Sequence, residues 1–244
     1  MENDRLITKE EQKKLKLDYI GDFEKGVFSP PKLLDLACEM QLDAIGDFVP
    51  LTFKANLRQF EDEIDAYKDT WVPYLHREGL MNDRQGLNLV GLPGDTPTDS
   101  LSMPEAMKRT GRKLNELDFD TPTQLYYDLP SLHPILNYFP KLGRCSLVKV
   151  NTGGWFPAHR DGVLLQRKTF RIVVFLTNTS NMCYEWEHDY RIRQIEEGRA
   201  YYIDTKKAHR THAYVNDSIH LVMNIPKTYE NVMRVCNLMD AAES

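Results

Sequence analysis

Apolar positions recur at helical spacing through much of the first 140 residues. Ser29-Pro30-Pro31 precedes an apolar face that runs to Ile45, a pattern typical of a helix start. A second face has three- and four-residue intervals and consists of Leu57, Phe60, Ile64, Tyr67 and Trp71. Ser102-Met103-Pro104-Glu105 resembles a capping box that opens a third helix, which Gly111 weakens. These patterns predict a mainly helical region over residues 1–140.

From Arg144 onward the pattern changes to short β-rich runs separated by turn residues. The runs are Ser146–Val150, Phe170–Leu176, Tyr184–Glu187, Tyr190–Ile195, Ala200–Ile203 and Ser218–Ile225. His188-Asp189 lies between two of them and suggests a hairpin, and Pro226 ends the last. Six or more short strands favour a sandwich or barrel over residues 141–244. The two regions are expected to form one structural unit of the α+β class.

Composition narrows the class of protein. The 244 residues are 41% hydrophobic and 27% charged, which is typical of a folded chain. The net charge of −5 argues weakly against a nucleic-acid substrate. The sequence has no apolar run long enough for a membrane span and no apolar signal core in its first residues, so neither membrane insertion nor secretion is expected. The four cysteines have wide, irregular spacing, so free thiols in a cytoplasmic protein are predicted.

His159-Arg160-Asp161 is the short motif with the clearest chemistry. In an extended segment, residues two apart point to the same side, so an imidazole and a carboxylate can bind one metal ion. Two histidines and one carboxylate on one face are the ligand set of non-haem Fe(II) oxygenases. A third ligand would have to come from a neighbouring strand, and His209, His212 and His220 follow about fifty residues later. The motif is short, so a surface cluster with ordinary hydrogen bonds is the alternative.

Several longer segments carry a resemblance to a known family. They are Gly153–Gly162, Thr169–Ile172 with Leu176–Asn178, Gly198–His209, and His220–Asn224. Together they resemble the Fe(II)/2-oxoglutarate-dependent oxygenases, and within them the aspartyl/asparaginyl β-hydroxylase-like group. The resemblance covers about the last 40% of the chain. It implies a double-stranded β-helix, or jelly roll, with Fe(II), 2-oxoglutarate and O₂ as cofactor and cosubstrates.

The resemblance also implies roles for particular residues. His159, Asp161 and His209 would be the catalytic metal ligands, because Asp204 and the histidine five residues later match the family's distal element. His212 is the competing distal ligand, since it lies near the start of the next strand. For His220, a packed position is favoured, although it could face the pocket from the closing strand.

The sequence departs from many such oxygenases in the residue that would hold the far carboxylate of 2-oxoglutarate. The closing strand, which begins near Asn216, has no arginine. Arg171 is the predicted cation, because it interrupts an apolar strand and a guanidinium binds a carboxylate bidentately. Arg167, Lys168 and Arg210 are alternatives, and Ser218, Asn216 or His220 could add a hydrogen bond.

The function implied is hydroxylation of an amino-acid residue in a peptide or protein, or of a free amino acid. Asp161 favours hydroxylation because family members that halogenate lack this carboxylate. Two other functions stay open. One is a cupin-like module that binds a metal or small ligand without turnover, and the other is a Zn(II) or Mn(II) hydrolase or isomerase with the same triad.

Overall fold

The computed structural model describes residues 30–73, 84–161, 168–180, 182–186, 193–213 and 217–239. Its main feature is an eight-stranded antiparallel sheet. Seven of the strands follow the order β1-β9-β7-β11-β5-β3-β2, and β4 pairs with β3 outside this order. A second sheet has the order β6-β10-β8. The strands are β1 (Phe48–Lys54), β2 (Val72–Pro73), β3 (Arg84–Gly91), β4 (Thr121–Pro122), β5 (Cys145–Val150), β6 (Trp155–His159), β7 (Thr169–Phe175), β8 (Met182–Trp186), β9 (Arg199–Ile203), β10 (His209–Ala213) and β11 (Ser218–Pro226).

Consecutive strands from β5 to β11 alternate between the two sheets. The odd-numbered strands of this series lie in the large sheet, and β6, β8 and β10 lie in the small one. A chain that crosses between two facing antiparallel sheets at every step forms a double-stranded β-helix. The apolar layer between the sheets includes Val148, Val173, Phe175 and Tyr184. The predicted α+β class with a jelly-roll core is therefore confirmed.

Helices cover the opposite face of the large sheet, except Met103–Thr110, whose Ala106 packs in a separate apolar cluster with Leu92 and Phe119. Their ranges are Pro30–Ile45, Leu57–Ile64, Met103–Thr110, Gln124–Asp128, His133–Leu136 and Tyr229–Leu238, with 3₁₀ turns at Asp65–Tyr67, Glu116–Asp118 and Pro130–Leu132. The main core joins helix residues such as Phe60 and Leu125 to sheet residues such as Leu147 and Leu221. None of the described helices has the length and apolar character needed to cross a bilayer.

The predicted helix starts agree with the structure. Ser102 caps the helix Met103–Thr110 by accepting a hydrogen bond from the Glu105 amide, and Gly111 ends it with a φ of +66°. This left-handed conformation favours glycine, so Gly111 terminates the helix rather than weakening it. Ser29, which was predicted to cap the first helix, lies outside the described residues.

Strands from before residue 141 extend the sheet on both sides of the jelly roll. β1 pairs with β9, and β3 pairs with β5. The sequence pattern did not predict either strand. The sheet therefore continues across the predicted boundary near residue 141, and the mainly helical N-terminal region supplies part of the β-structure around the cavity.

The turn between β5 and β6 sets the position of the candidate ligands. Gly153 has a φ of +78°, and the Gly154 amide donates a hydrogen bond to the Asn151 carbonyl. A left-handed residue is needed for the chain to reverse here, which glycine provides without strain. The chain then enters β6, whose last residue is His159.

Candidate metal centre

Three predicted ligands meet at one end of the cavity between the sheets. His159 ends β6 and is the direct cross-strand partner of His209, which begins β10. Asp161 follows two residues after β6, and its amide donates to the Thr205 carbonyl at 3.1 Å. One ligand atom from each of the three side chains lies within 4.8 Å of the others. This donor set, two imidazoles and a carboxylate, fits a divalent transition metal ion.

Two neighbours fix the ring of His209. Its Nδ1 lies 2.9 Å from the Lys207 carbonyl. A carbonyl oxygen only accepts, so Nδ1 carries the proton and the lone pair is on Nε2. Tyr184 stacks on the same ring, with centroids 5.7 Å apart and an interplanar angle of 8°. An outer partner of this kind orients a metal-binding imidazole and selects its tautomer.

The protonation states suit metal binding. Burial and the nearby His159 lower the pKa of His209 to about 4, so the imidazole is neutral at physiological pH. Burial alone would raise the pKa of Asp161, but the Arg171 guanidinium, a hydrogen bond from His159 and the two nearby imidazoles together outweigh it. The resulting pKa lies well below its ordinary value. A metal ion requires this combination of neutral imidazole and ionised carboxylate.

Arg171 lines the cavity, as the sequence predicted, and lies at the end where the three candidate ligands meet. One Nη atom is 2.5 Å from Oδ2 of Asp161, and the other donates to Oδ1 of Asn224 at 3.2 Å. Nδ2 of Asn224 in turn donates to Glu116 at 3.1 Å, and Glu116 accepts two hydrogen bonds from Arg144. A buried polar chain therefore runs from the 3₁₀ turn Glu116–Asp118 to the candidate metal ligand.

Sequence reasoning missed Glu116, Asn224 and Arg144. Asn224 interrupts the apolar run of β11, and the logic applied to Arg171 would have identified it. No comparable signal marks Glu116, which is only 2% exposed yet lies in a polar stretch of sequence. Its burial depends on a partner 28 residues away.

The two other predicted cosubstrate residues differ in position. His220 is buried and lines the cavity, so the structure supports its placement in the pocket. Ser218 is fully buried outside the described cavity wall, and its hydroxyl donates to the Asn178 carbonyl at 2.7 Å. Asn178 has a φ of +55°, so Ser218 stabilises a strained turn instead of facing a ligand. The structure does not bring Ser218 to Arg171.

Two alternatives from the sequence lie away from the cavity. His212 stacks on Trp155, with centroids 6.3 Å apart, and Trp155 is 39% exposed. Since side chains alternate along β10, His209 and Thr211 face the cavity and His212 faces away. Arg210 forms an ion pair with Glu185 at 2.8 Å.

The other residues that the sequence offered for binding the cosubstrate do not line the described cavity wall. Lys168 is exposed. Arg167, Asn216 and the hairpin turn His188-Asp189 lie outside the described residues.

The cavity has a volume of about 270 Å³ and contains polar and apolar regions. Val148, Val173 and Val222 form an apolar strip along the large sheet. Arg84, from the unpredicted strand β3, also lines the cavity, and its guanidinium lies 4.6 Å from the centroid of the Phe156 ring. The cavity therefore has cationic groups at more than one place on its wall.

Comparisons with known proteins add structural similarity only. No family model matches the sequence, and no curated protein matches it. A prolyl-4-hydroxylase from Pseudomonas putida is similar over 78% of this chain and 98% of its own, with 11% identity and a TM-score of 0.44. A cupin domain from Bordetella pertussis is similar over 34% of this chain and 79% of its own, with 17% identity and a TM-score of 0.28.

A cupin-2 domain from Rhodospirillum rubrum gives a TM-score of 0.34 at 10% identity, over 64% of this chain and 68% of its own. Because all three TM-scores are below 0.5, these similarities carry no argument. The jelly-roll assignment depends instead on the strand order and registers of this chain.

We expect the metal-free protein to lose stability as the pH falls below about 6.5, the ordinary histidine pKa. Burial, with the charges of Arg84 and Arg171, lowers the pKa of His220 to about 3, and that of His209 is lowered to about 4. The unfolded chain then binds protons that the folded chain does not. Each histidine should cost about 1.4 kcal/mol per pH unit in this window.

Urea unfolding with chelator present, between about pH 7 and about pH 5, measures this slope. His220→Leu should reduce it by about the share of one histidine. An unchanged slope in this variant would contradict the assignment of His220 as a buried neutral group.

Proposed function

We propose that this protein is an Fe(II)- and 2-oxoglutarate-dependent dioxygenase in which His159, Asp161 and His209 hold the iron. The observation that carries the proposal is the convergence of two imidazoles and one carboxylate, with ligand atoms within 4.8 Å, on the wall of one cavity. Three such ligands occupy one face of a six-coordinate ion and leave three positions open. A bidentate 2-oxo acid and O₂ would need those three positions.

When bound, Fe(II) would supply the redox chemistry by which 2-oxoglutarate and O₂ become succinate and CO₂ while a substrate C–H becomes C–OH. The residues of this chain orient and enclose the reactants. Arg171 holds Asp161, Tyr184 holds the ring of His209, and the valine strip excludes water from part of the cavity. Exclusion of water protects a reactive centre from side reactions.

The proposed substrate is an amino-acid residue in a peptide or protein, or a free amino acid, and the support is the resemblance of the sequence segments described above. A cavity of about 270 Å³ admits one side chain or small molecule, so a protein substrate would insert a single residue. The free thiols Cys38, Cys145 and Cys236 support a reducing, cytoplasmic setting.

Two alternatives use the same triad. A module that only binds a metal would have no need of an arginine beyond the one paired with Asp161, and the position of Arg84 on the cavity wall favours the dioxygenase instead. A Zn(II) or Mn(II) hydrolase or isomerase would need a general base near the metal. His220 lines the cavity and could serve as that general base.

The test is succinate formation from 2-oxoglutarate by protein loaded with Fe(II) under anaerobic conditions and then exposed to O₂. We expect succinate above the metal-free background, and background only from His159→Ala, which removes one ligand. Calorimetric binding of 2-oxoglutarate to the Fe(II)-loaded protein is measured in parallel. Absence of both succinate and binding would reject the dioxygenase in favour of the alternatives.

A further inference from the structure

The strand registers define two ends of the cavity. Asn224 of β11 lies opposite Arg171, at the end where Arg171 contacts Asp161. Ser218, at the other end of β11, lies opposite Val150, which pairs with Arg84. We call these the metal end and the Arg84 end. Arg171 and Arg84 therefore enter the cavity from opposite ends of the large sheet.

The Nη donors of Arg171 are engaged at the metal end. One is in contact with Asp161 and the other donates to Asn224. The remaining Nε is buried and has no hydrogen-bond partner among the described residues. A guanidinium in contact with a metal ligand is poorly placed for the far carboxylate of 2-oxoglutarate, because a chain of carbon atoms separates that carboxylate from the chelating end.

Phe156 contacts both Arg84 and a candidate metal ligand. The Arg84 guanidinium is 4.6 Å from the centroid of the Phe156 ring, and that ring is 3.9 Å from the ring of His159. A ligand bound at His159 and lying along the Phe156 ring would therefore come within reach of the Arg84 guanidinium, as the far end of a five-carbon diacid would.

His220 provides a second polar group towards the same end. It is 6% exposed, it lines the cavity, and its Nδ1 has no hydrogen-bond partner in the described part of the chain. Its cross-strand partner on β5 is Val148, two residues before the partner of Arg84. A buried polar atom without a partner is costly, so a ligand that supplies one is favoured.

We propose that Arg84 and His220 form a carboxylate-binding subsite that takes the far carboxylate of 2-oxoglutarate, while Arg171 positions Asp161. The inference rests on the proposed function. It gives Arg84 the role of carboxylate-binding cation that the sequence analysis assigned to Arg171. The missing arginine of the closing strand is then replaced by one from β3, which lies two strands away in the same sheet.

The test compares two ligands on the Fe(II)-loaded protein under anaerobic conditions, by calorimetry. 2-Oxopentanoate has the same carbon chain as 2-oxoglutarate but ends in a methyl group. Wild type should prefer 2-oxoglutarate by about 10- to 100-fold, the range for a hydrogen bond between charged groups. Arg84→Met should abolish that preference without changing Fe(II) affinity, and Arg84→Lys should keep part of it.

Arg210→Met is the matched control, because Arg210 forms its ion pair outside the described cavity wall and the variant should retain the wild-type preference. Arg84→Gln replaces Arg84→Met if the circular dichroism spectrum of the latter departs from wild type. A preference that persists without the Arg84 charge, and is lost in Arg171→Met, would overturn the subsite alone. Failure of wild type to bind either 2-oxo acid would overturn the proposed function and the subsite together.

Discussion

His209→Ala should weaken binding of a divalent metal ion by more than about 100-fold, because loss of a ligand exceeds the 10- to 100-fold cost of losing an outer partner. The reason is geometric. His209 is one of three side chains whose ligand atoms lie within 4.8 Å, and the remaining pair cannot complete the face of the ion. Titration of the purified protein with Zn(II) or Mn(II), followed by calorimetry, measures the change.

His212→Ala is the matched control for this experiment. His212 lies three residues later on the same strand, but its ring packs against Trp155 instead of facing the cavity. We expect this variant to keep the metal affinity of wild type. Equal losses in the two variants, or a larger loss in His212→Ala, would show that the distal ligand has been assigned wrongly.

Arg171→Met should destabilise the metal-free protein by about 3–5 kcal/mol, the cost of removing one partner from a buried ion pair. Arg171 and Asp161 have side-chain exposures of only 17% and 12%, so water would compensate little of the lost charge. A bound metal ion would supply positive charge to the same carboxylate. The loss of stability should therefore be smaller with saturating Zn(II) than with chelator, as measured by urea unfolding.

Arg210→Met gives the comparison for this second experiment. Its side chain is 47% exposed, so water already screens the Arg210 charge, and loss of its pair with Glu185 should cost less than loss of the buried Arg171. If Arg171→Met lost the same stability with and without metal, the ion pair would contribute to packing only, and Asp161 would not be the group that both cations share.

Much of the jelly roll could be predicted from sequence because its strands are short, β-rich and separated by turns. β7 and β11 agree with the predicted runs to within one residue at each end. The candidate ligands followed from the same pattern, since strand alternation places His159 and Asp161 on one side. The structure brings these two together with His209, as the resemblance implied.

The strands from the N-terminal region gave no such signal, for identifiable reasons. β3 has the sequence RQGLNLVG and is buried on both faces along most of its length, so apolar and polar positions do not alternate. Its glycines and Asn88 also have low strand propensity. Only pairing with the distant β5 makes this segment a strand, and Arg84 enters the cavity as a consequence.

The outer strands of the large sheet also affect how the protein meets other chains. β1 contains Pro50, which removes a backbone donor from one edge, and Pro73 lies in β2 at the opposite edge of the described strands. Edge prolines impede the addition of a strand from another molecule. Strands β1 and β2, which complete the sheet, thus also reduce intermolecular β-pairing and aggregation.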